Sequence, residues 1–138
     1  RPDVRGLIMG LTRNSDWKSL VRAVVESVAY QSYDLFNSMR KDGLKPKIVK
    51  IDGGMVSNNW FSQFLSNIIN LNVVRPRVLE TTALGVALFA GYQVGEFKSL
   101  NEIKHIWKKD RVFSPKINKS LRNNLLQGWK VAIRKTLA

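Results

Sequence analysis

An α/β fold is what the middle of the chain predicts, and three observations carry it. Lys47-Ile48-Val49-Lys50-Ile51 has strand composition. Residues 57–70, SNNWFSQFLSNIIN, place Phe61, Phe64, Leu65 and Ile68 at helical spacing, so the strand runs into a helix through Gly53-Gly54. Asn70-Leu71-Asn72 then ends the helix, and Val73-Val74 opens a second short strand stopped by Pro76. Strand, helix and strand in this order form a right-handed crossover unit, which implies parallel pairing. With 138 residues and 44% hydrophobic content, residues 1–138 read as a single domain with its own core.

The other elements follow from the same signals. Residues 1–5 read as a loop leading into Gly6-Leu7-Ile8-Met9-Gly10-Leu11, an apolar run compatible with a buried strand between glycines. Ser15 or Asp16 can cap a long helix in which Trp17, Leu20, Val21, Val24, Val28, Leu35, Phe36 and Met39 recur at intervals of three and four. It runs to about Lys41 and stops at Asp42-Gly43. Glu26, a lone carboxylate inside this helix, reads as a surface or packing residue. Glu80-Thr81-Thr82 precedes residues 83–91, ALGVALFAG, a helix rich in small side chains. Such residues admit a close backbone or a flat ligand, and equally serve tight helix packing. Residues 92–99 read as a loop and 100–109 as a short helix. Residues 118–138 form an amphipathic helix with Leu121, Leu125, Trp129, Ala132 and Ile133 on one stripe and Arg122, Lys130, Arg134 and Lys135 outside it.

Composition narrows the function classes. The net charge is +13, from 23 Lys and Arg against 10 Asp and Glu, but the basic residues are spread along the chain without aromatic interleaving. They read as a solvated basic surface, and no specific nucleic-acid partner is expected. No apolar run is long enough to cross a bilayer, and Arg1-Pro2-Asp3 is not the start of a secretory signal, so no membrane partner is expected. The absence of cysteine removes disulfides, thiolate metal sites and a thiol nucleophile, and fits a reducing compartment, the cytoplasm by default. His105 is the only histidine, and neither a metal site nor a serine triad can be assembled from the sequence. The first residue is not Met, so a trimmed chain or a piece of a longer protein is expected.

The chemically suggestive stretch is Ile51-Asp52-Gly53-Gly54. A glycine turn from strand to helix lets backbone N–H groups approach a ligand, and a helix start leaves unpaired donors with partial positive charge, so phosphate is the natural guest. By itself a glycine pair after a strand is more often a tight turn than a binding loop.

Three stretches in order identify the context. Residues 6–26 (GLIMGLTRNSDWKSLVRAVVE), 52–59 (DGGMVSNN) and 82–91 (TALGVALFAG) closely resemble the C-terminal domain of the FGGY family of carbohydrate kinases. Arg5-Gly6, Gly10-Leu11-Thr12-Arg13, Ala29-Tyr30-Gln31 and Arg75-Pro76 resemble the branch of that family that acts on glycerol. Ser19 departs from the family pattern, which usually carries His, Asp, Glu, Asn or Gln there, and Met55 is often a smaller residue in relatives.

The resemblance implies an actin-like, ribonuclease-H-like ATPase fold in which two α/β domains close over a cleft, with ATP mainly against the second. It implies that the turn at Gly53 and Gly54 approaches the nucleotide phosphates, with Gly54 the usual contact, that Asn58 lies near adenosine, and that the helix over residues 82–91 packs beside the base. The implied cofactor is ATP or ADP with Mg²⁺, whose ligands lie outside this chain. The full-length form would transfer the γ-phosphate to glycerol, giving glycerol 3-phosphate. A pentulose kinase is the alternative, and a non-catalytic remnant that binds only nucleotide or a partner chain is a reading of a different class. The resemblance covers nearly the whole chain but only the last part of a much longer protein, with the base aspartate and the polyol-binding residues upstream, so no catalytic residue is assigned here. Asp52 reads as holding the turn through its backbone. The partners implied are nucleotide, the upstream half of the kinase, glycerol through that half, and a second copy of the chain where apolar surface is left exposed.

Overall fold

The computed structural model describes residues 3–137, so Arg1, Pro2 and the expected extension of the last helix to Ala138 lie outside the described residues. Helix α1 spans Trp17–Lys41 and is capped as the sequence predicts. The Ser19 backbone N–H and its hydroxyl both lie 2.8 Å from the Asp16 carboxylate, and these two bonds hold that carboxyl below the usual range. Asp42 closes the helix, and Gly43 follows at φ +93°.

Strand β1, Ile48–Lys50, leads through the glycine turn into a 3-10 turn at Gly54–Ser57 and then into α2, Asn59–Ile69. The expected helix therefore starts two residues later than its periodicity, because Asn58 adopts extended backbone and caps it. Asn70, in the left-handed conformation, ends α2 and releases the chain into β2, Asn72–Pro76. The parallel pairing is as expected, with Ile48, Val49 and Lys50 opposite Asn72, Val73 and Val74.

Helix α3 spans Thr81–Gln93 and α4 spans Leu100–Ile106. The predicted helix over residues 100–109 is corrected here: Trp107 is already extended, and Lys109–Phe113 forms β3, antiparallel to β2. A short strand with basic residues gives little periodicity. It becomes a strand because β2 offers a ladder partner, with Val73 opposite Phe113 and Val74 opposite Val112. The sheet order is β1-β2-β3. Helix α5, Lys119–Leu137, closes the chain.

A second correction concerns residues 6–11, read as a buried strand. They form no regular element, and Leu7, Ile8, Met9 and Leu11 are exposed. A strand requires a ladder partner, and none faces them among the described residues.

The core lies between one face of the sheet and α1, α2 and α5. Alternation along the strands sends Val73 and Phe113 into it, with Val49 partly buried beside them. Phe61, Phe64, Leu65 and Ile68 are all buried, as their spacing predicts. Tyr30 joins the three helices: its ring meets Phe64 edge-on at 5.6 Å and stacks on Trp129 at 5.4 Å. On α5 the fully buried residue is Leu126, outside the stripe read from the sequence, with Leu125 and Trp129 partly buried and Leu121 exposed. Glu26 pairs with Arg22 at 2.6 Å, the structural role expected of it. No described helix is long and apolar enough to cross a membrane.

Helix α3 buries none of its residues and packs closely on no other element. Close packing within this chain accounts for Gly91, where a Cβ would come 2.8 Å from the Phe97 ring, but not for Gly85, where it would meet nothing within 4 Å.

Two outcomes follow. Ile68→Ala should cost about 2–5 kcal/mol in urea unfolding, as a core truncation does, whereas Val86→Ala on α3, where Val86 is 67% exposed, should stay within about 0.5 kcal/mol. Burial, and secondarily the charge of Glu26, push the Tyr30 hydroxyl up from 10.0 to about 12. The raised folded value means that the Tyr30 contribution is complete below the unfolded value and is lost as pH rises toward the folded one. Stability should thus fall between pH 10.0 and about 12, and Tyr30→Phe should remove that dependence in thermal melts across the range.

Candidate functional site

The site is built where β1 ends. Gly53 has φ +86° and ψ 172°, a region open essentially to glycine alone, so the chain can reverse there without a side chain. The Gly53 N–H donates to the Leu79 carbonyl at 2.8 Å, and the Thr81 hydroxyl donates to the Asp52 carboxylate. The start of α3 is thus tied to the turn. Asp52 holds the loop through its side-chain carboxylate, which takes the place of the backbone contact expected of it.

Gly54 differs from Gly53. Its φ is not in the left-handed region, it is exposed, and a Cβ built on it would meet nothing within 4 Å. Nothing among the described residues requires glycine there. The Gly54 and Met55 N–H groups open the 3-10 turn and have no hydrogen-bond partner among the described residues, while the Gly54 carbonyl accepts from the Ser57 hydroxyl at 2.7 Å. Two backbone donors and an open approach are what an anionic oxygen would meet.

Asn58 sits at the other end of the turn. Its Oδ1 accepts from the N–H groups of Trp60 at 2.9 Å and Phe61 at 3.2 Å, which orients the carboxamide and leaves Nδ2 available to a ligand. Beside it is a cleft of about 360 Å³, with Trp17 and Val21 from α1 and Trp60 from α2 among its walls. The structure therefore brings Gly53, Gly54 and Asn58 together on one short turn.

Sequence reasoning missed what holds this turn. Arg75, from β2, donates from Nη1 to the carbonyls of Val56 at 2.8 Å and Ser57 at 3.1 Å and to Asn59 Oδ1 at 3.0 Å. Its Nε and Nη2 lie 2.8 and 2.6 Å from Asp110 Oδ2 on β3. The Ser62 hydroxyl, fully buried, also donates to the Val56 carbonyl at 3.1 Å. The available signal was a charged residue within the short apolar run Val73-Val74-Arg75-Pro76. Among the described residues no three His, Asp or Glu come together as a group that could hold a metal ion.

Residues 1–94 match the C-terminal domain of the FGGY family of carbohydrate kinases. The chain is 52% identical over 137 residues to a glycerol kinase of Gluconobacter oxydans, a match that covers 99% of this chain and 27% of that protein. Among solved structures, glycerol kinase of Plasmodium falciparum with ADP superimposes with a TM-score of 0.84 at 34% identity, over 100% of this chain and 28% of that one. A ligand-bound xylulose kinase of Lactobacillus acidophilus gives 0.68 at 26% identity, over 90% and 25%. The chain thus spans about a quarter of the length of these proteins.

The two glycines can be separated experimentally. Gly53→Ala should lose about 1–3 kcal/mol of stability, because alanine resists its backbone conformation, whereas Gly54→Ala should unfold within about 0.5 kcal/mol of the parent. Urea titration followed by circular dichroism distinguishes the two.

Proposed function

The chain belongs to the FGGY family of carbohydrate kinases, and on that premise we propose that it is the nucleotide-holding C-terminal part of a glycerol kinase. Its turn at Gly53 and Gly54 takes the phosphates of ADP or ATP on backbone N–H groups, and Asn58 Nδ2 contacts the adenosine. Thr82 to Gly91 of α3, exposed and rich in small residues, lies beside the base. The observation that carries this reading is the open approach at Gly54: the chain itself has no use for glycine there, whereas a close phosphate does. The solved glycerol kinase that superimposes over the whole chain holds ADP, which supports the nucleotide class. The identity to glycerol kinases over nearly all of the chain supports glycerol over a pentulose as the acceptor.

In the full protein the acceptor hydroxyl oxygen attacks the γ-phosphorus, the bond from that phosphorus to the β,γ-bridging oxygen breaks, and the hydroxyl proton passes to a base. Glycerol 3-phosphate and ADP result. Mg²⁺, when bound, neutralises charge on the phosphate oxygens. This chain's share is to bind and orient: the turn fixes the phosphate end, Asn58 fixes the nucleoside end, and closure of the remaining domain excludes water. The base, the metal ligands and the acceptor pocket belong to the remainder of the protein, so the chain alone holds nucleotide without turning over. Its working compartment is the cytoplasm, where ATP and glycerol are available.

Calorimetric titration of the chain with ADP, beside Gly54→Val, tests this. The expected result is saturable binding that weakens at least about tenfold in the variant, since the new side chain fills the phosphate approach, with unchanged thermal unfolding. Equal affinity in the two proteins would overturn the site. Absence of ADP binding even in the presence of the rest of a kinase chain would overturn the function.

A further inference from the structure

Beyond the glycine turn, a second cleft of about 550 Å³ lies where α2 begins and β3 ends. Its size falls in the range of small-molecule sites, about 300–1,000 Å³. Asn59, Trp60 and Gln63 line it from α2, and Arg111, Phe113 and Lys116 from β3 and the loop that follows.

Polar contacts fix its shape. Gln63 Nε2 donates to the Ser114 carbonyl at 2.7 Å and to Asn67 Oδ1 at 3.1 Å. That oxygen of Asn67, a residue only 8% exposed, also accepts from the Lys116 N–H at 2.8 Å. The fully buried Ser66 hydroxyl lies 2.9 Å from the Phe113 carbonyl. The loop after β3 is thus fastened to α2, so the cleft is set before any ligand arrives.

The charge on its walls is not neutralised. Arg111 and Lys116 are exposed, and among the described residues neither has a carboxylate in ion-pair range. The neighbouring carboxylate, Asp110, is taken by Arg75 at 2.6 Å. Phe113 steadies Arg111, whose guanidinium carbon lies 5.6 Å from the ring centroid, with that of Arg75 5.5 Å from the same centroid. Two cations without a counter-charge on one cleft favour an anion of more than one charge.

Two carboxamides add direction. Asn59 Oδ1 is taken by Arg75, which leaves Nδ2 to donate to a ligand oxygen. Gln63 uses its amide hydrogens on Ser114 and Asn67, which leaves Oε1 to accept from a ligand hydroxyl.

We propose that this cleft binds a phosphate monoester of a polyhydroxy compound, with the phosphate on Arg111 and Lys116 and a hydroxyl on Gln63 Oε1. A monoester carries about −1.5 to −2 charge at neutral pH, and the arginine fork matches its oxygens. The site is separate from the glycine turn and does not depend on the nucleotide reading. Trp60, stacked on Phe64 at 5.1 Å, is a wall both of this cleft and of the one beside Asn58, so the two are neighbours.

Calorimetric titration of the chain with ribose 5-phosphate, inorganic phosphate and ribose tests the site. Ribose 5-phosphate should bind saturably and at least about tenfold more tightly than inorganic phosphate, and ribose should not bind. Arg111→Gln and Lys116→Gln should each weaken ribose 5-phosphate at least about tenfold with thermal unfolding unchanged, since both side chains are exposed. Should Arg111→Gln melt early, Lys116→Gln, outside β3, decides. Lys45→Gln removes the same charge from another exposed position, and Gly54→Val fills the glycine turn; neither should alter this affinity.

No binding of ribose 5-phosphate would overturn the site. So would equal weakening by Lys45→Gln and Arg111→Gln, which is diffuse attraction to a basic surface, or loss in Gly54→Val with full affinity in Arg111→Gln, which puts the ligand on the turn. Inorganic phosphate binding as tightly as ribose 5-phosphate would overturn the polyhydroxy assignment. ADP titrated into the same variants keeps the two sites apart, since its binding should respond to Gly54→Val and not to Arg111→Gln.

Discussion

The Arg75 guanidinium joins parts that local structure alone would leave loose. It leaves the sheet from β2 and reaches β3 through Asp110, the 3-10 turn through the carbonyls of Val56 and Ser57, and the first residue of α2 through Asn59. Its side chain is only 12% exposed, so the cation cannot rely on water and must be satisfied by these partners. The rigid fork of guanidinium donors fits this task, since one planar group addresses a carboxylate on one side and carbonyls on the other. A lysine would offer the charge without that geometry. The directions of the Gly54 and Met55 N–H groups depend on this anchor, because the carbonyls it holds belong to the same turn.

Around that anchor the molecule divides into a packed half and an open half. The packed half is the meeting of α1, α2 and α5 at Tyr30, with Val73 and Phe113 of the sheet beneath. The open half comprises α3, the β1 edge, the outer stripe of α1 and residues 7–11, all carrying apolar side chains to solvent. The glycine turn is held from within the chain, by Arg75 and Ser62 at the Val56 carbonyl and by the Leu79 carbonyl at the Gly53 N–H.

Much of the site was legible because its signals are local. Gly53, Gly54 and Asn58 lie within six residues, and a strand, a glycine pair and an Asn cap each leave a mark that depends on near neighbours. The separate duties of the two glycines were not legible, since one answers to a backbone angle and the other to open space, and both are written with the same letter. Strand β3 was invisible for a related reason: residues 109–113 become a strand through β2, not through their own pattern.

The sequence by itself determined the α/β class, the long first helix with a cap at Ser15 or Asp16, the parallel β1–β2 unit and the family to which the chain belongs, because periodicity, caps and motif spacing are properties of neighbouring residues. Tertiary structure alone decided that Arg75 pins the turn, that Leu126 reaches the core beside Leu125 and Trp129 of the predicted stripe, and that residues 6–11 form no strand here. Each of those outcomes depends on a partner far away in the chain, or on there being none among the described residues. A strand-like sequence becomes a strand only when another backbone is there to take its hydrogen bonds.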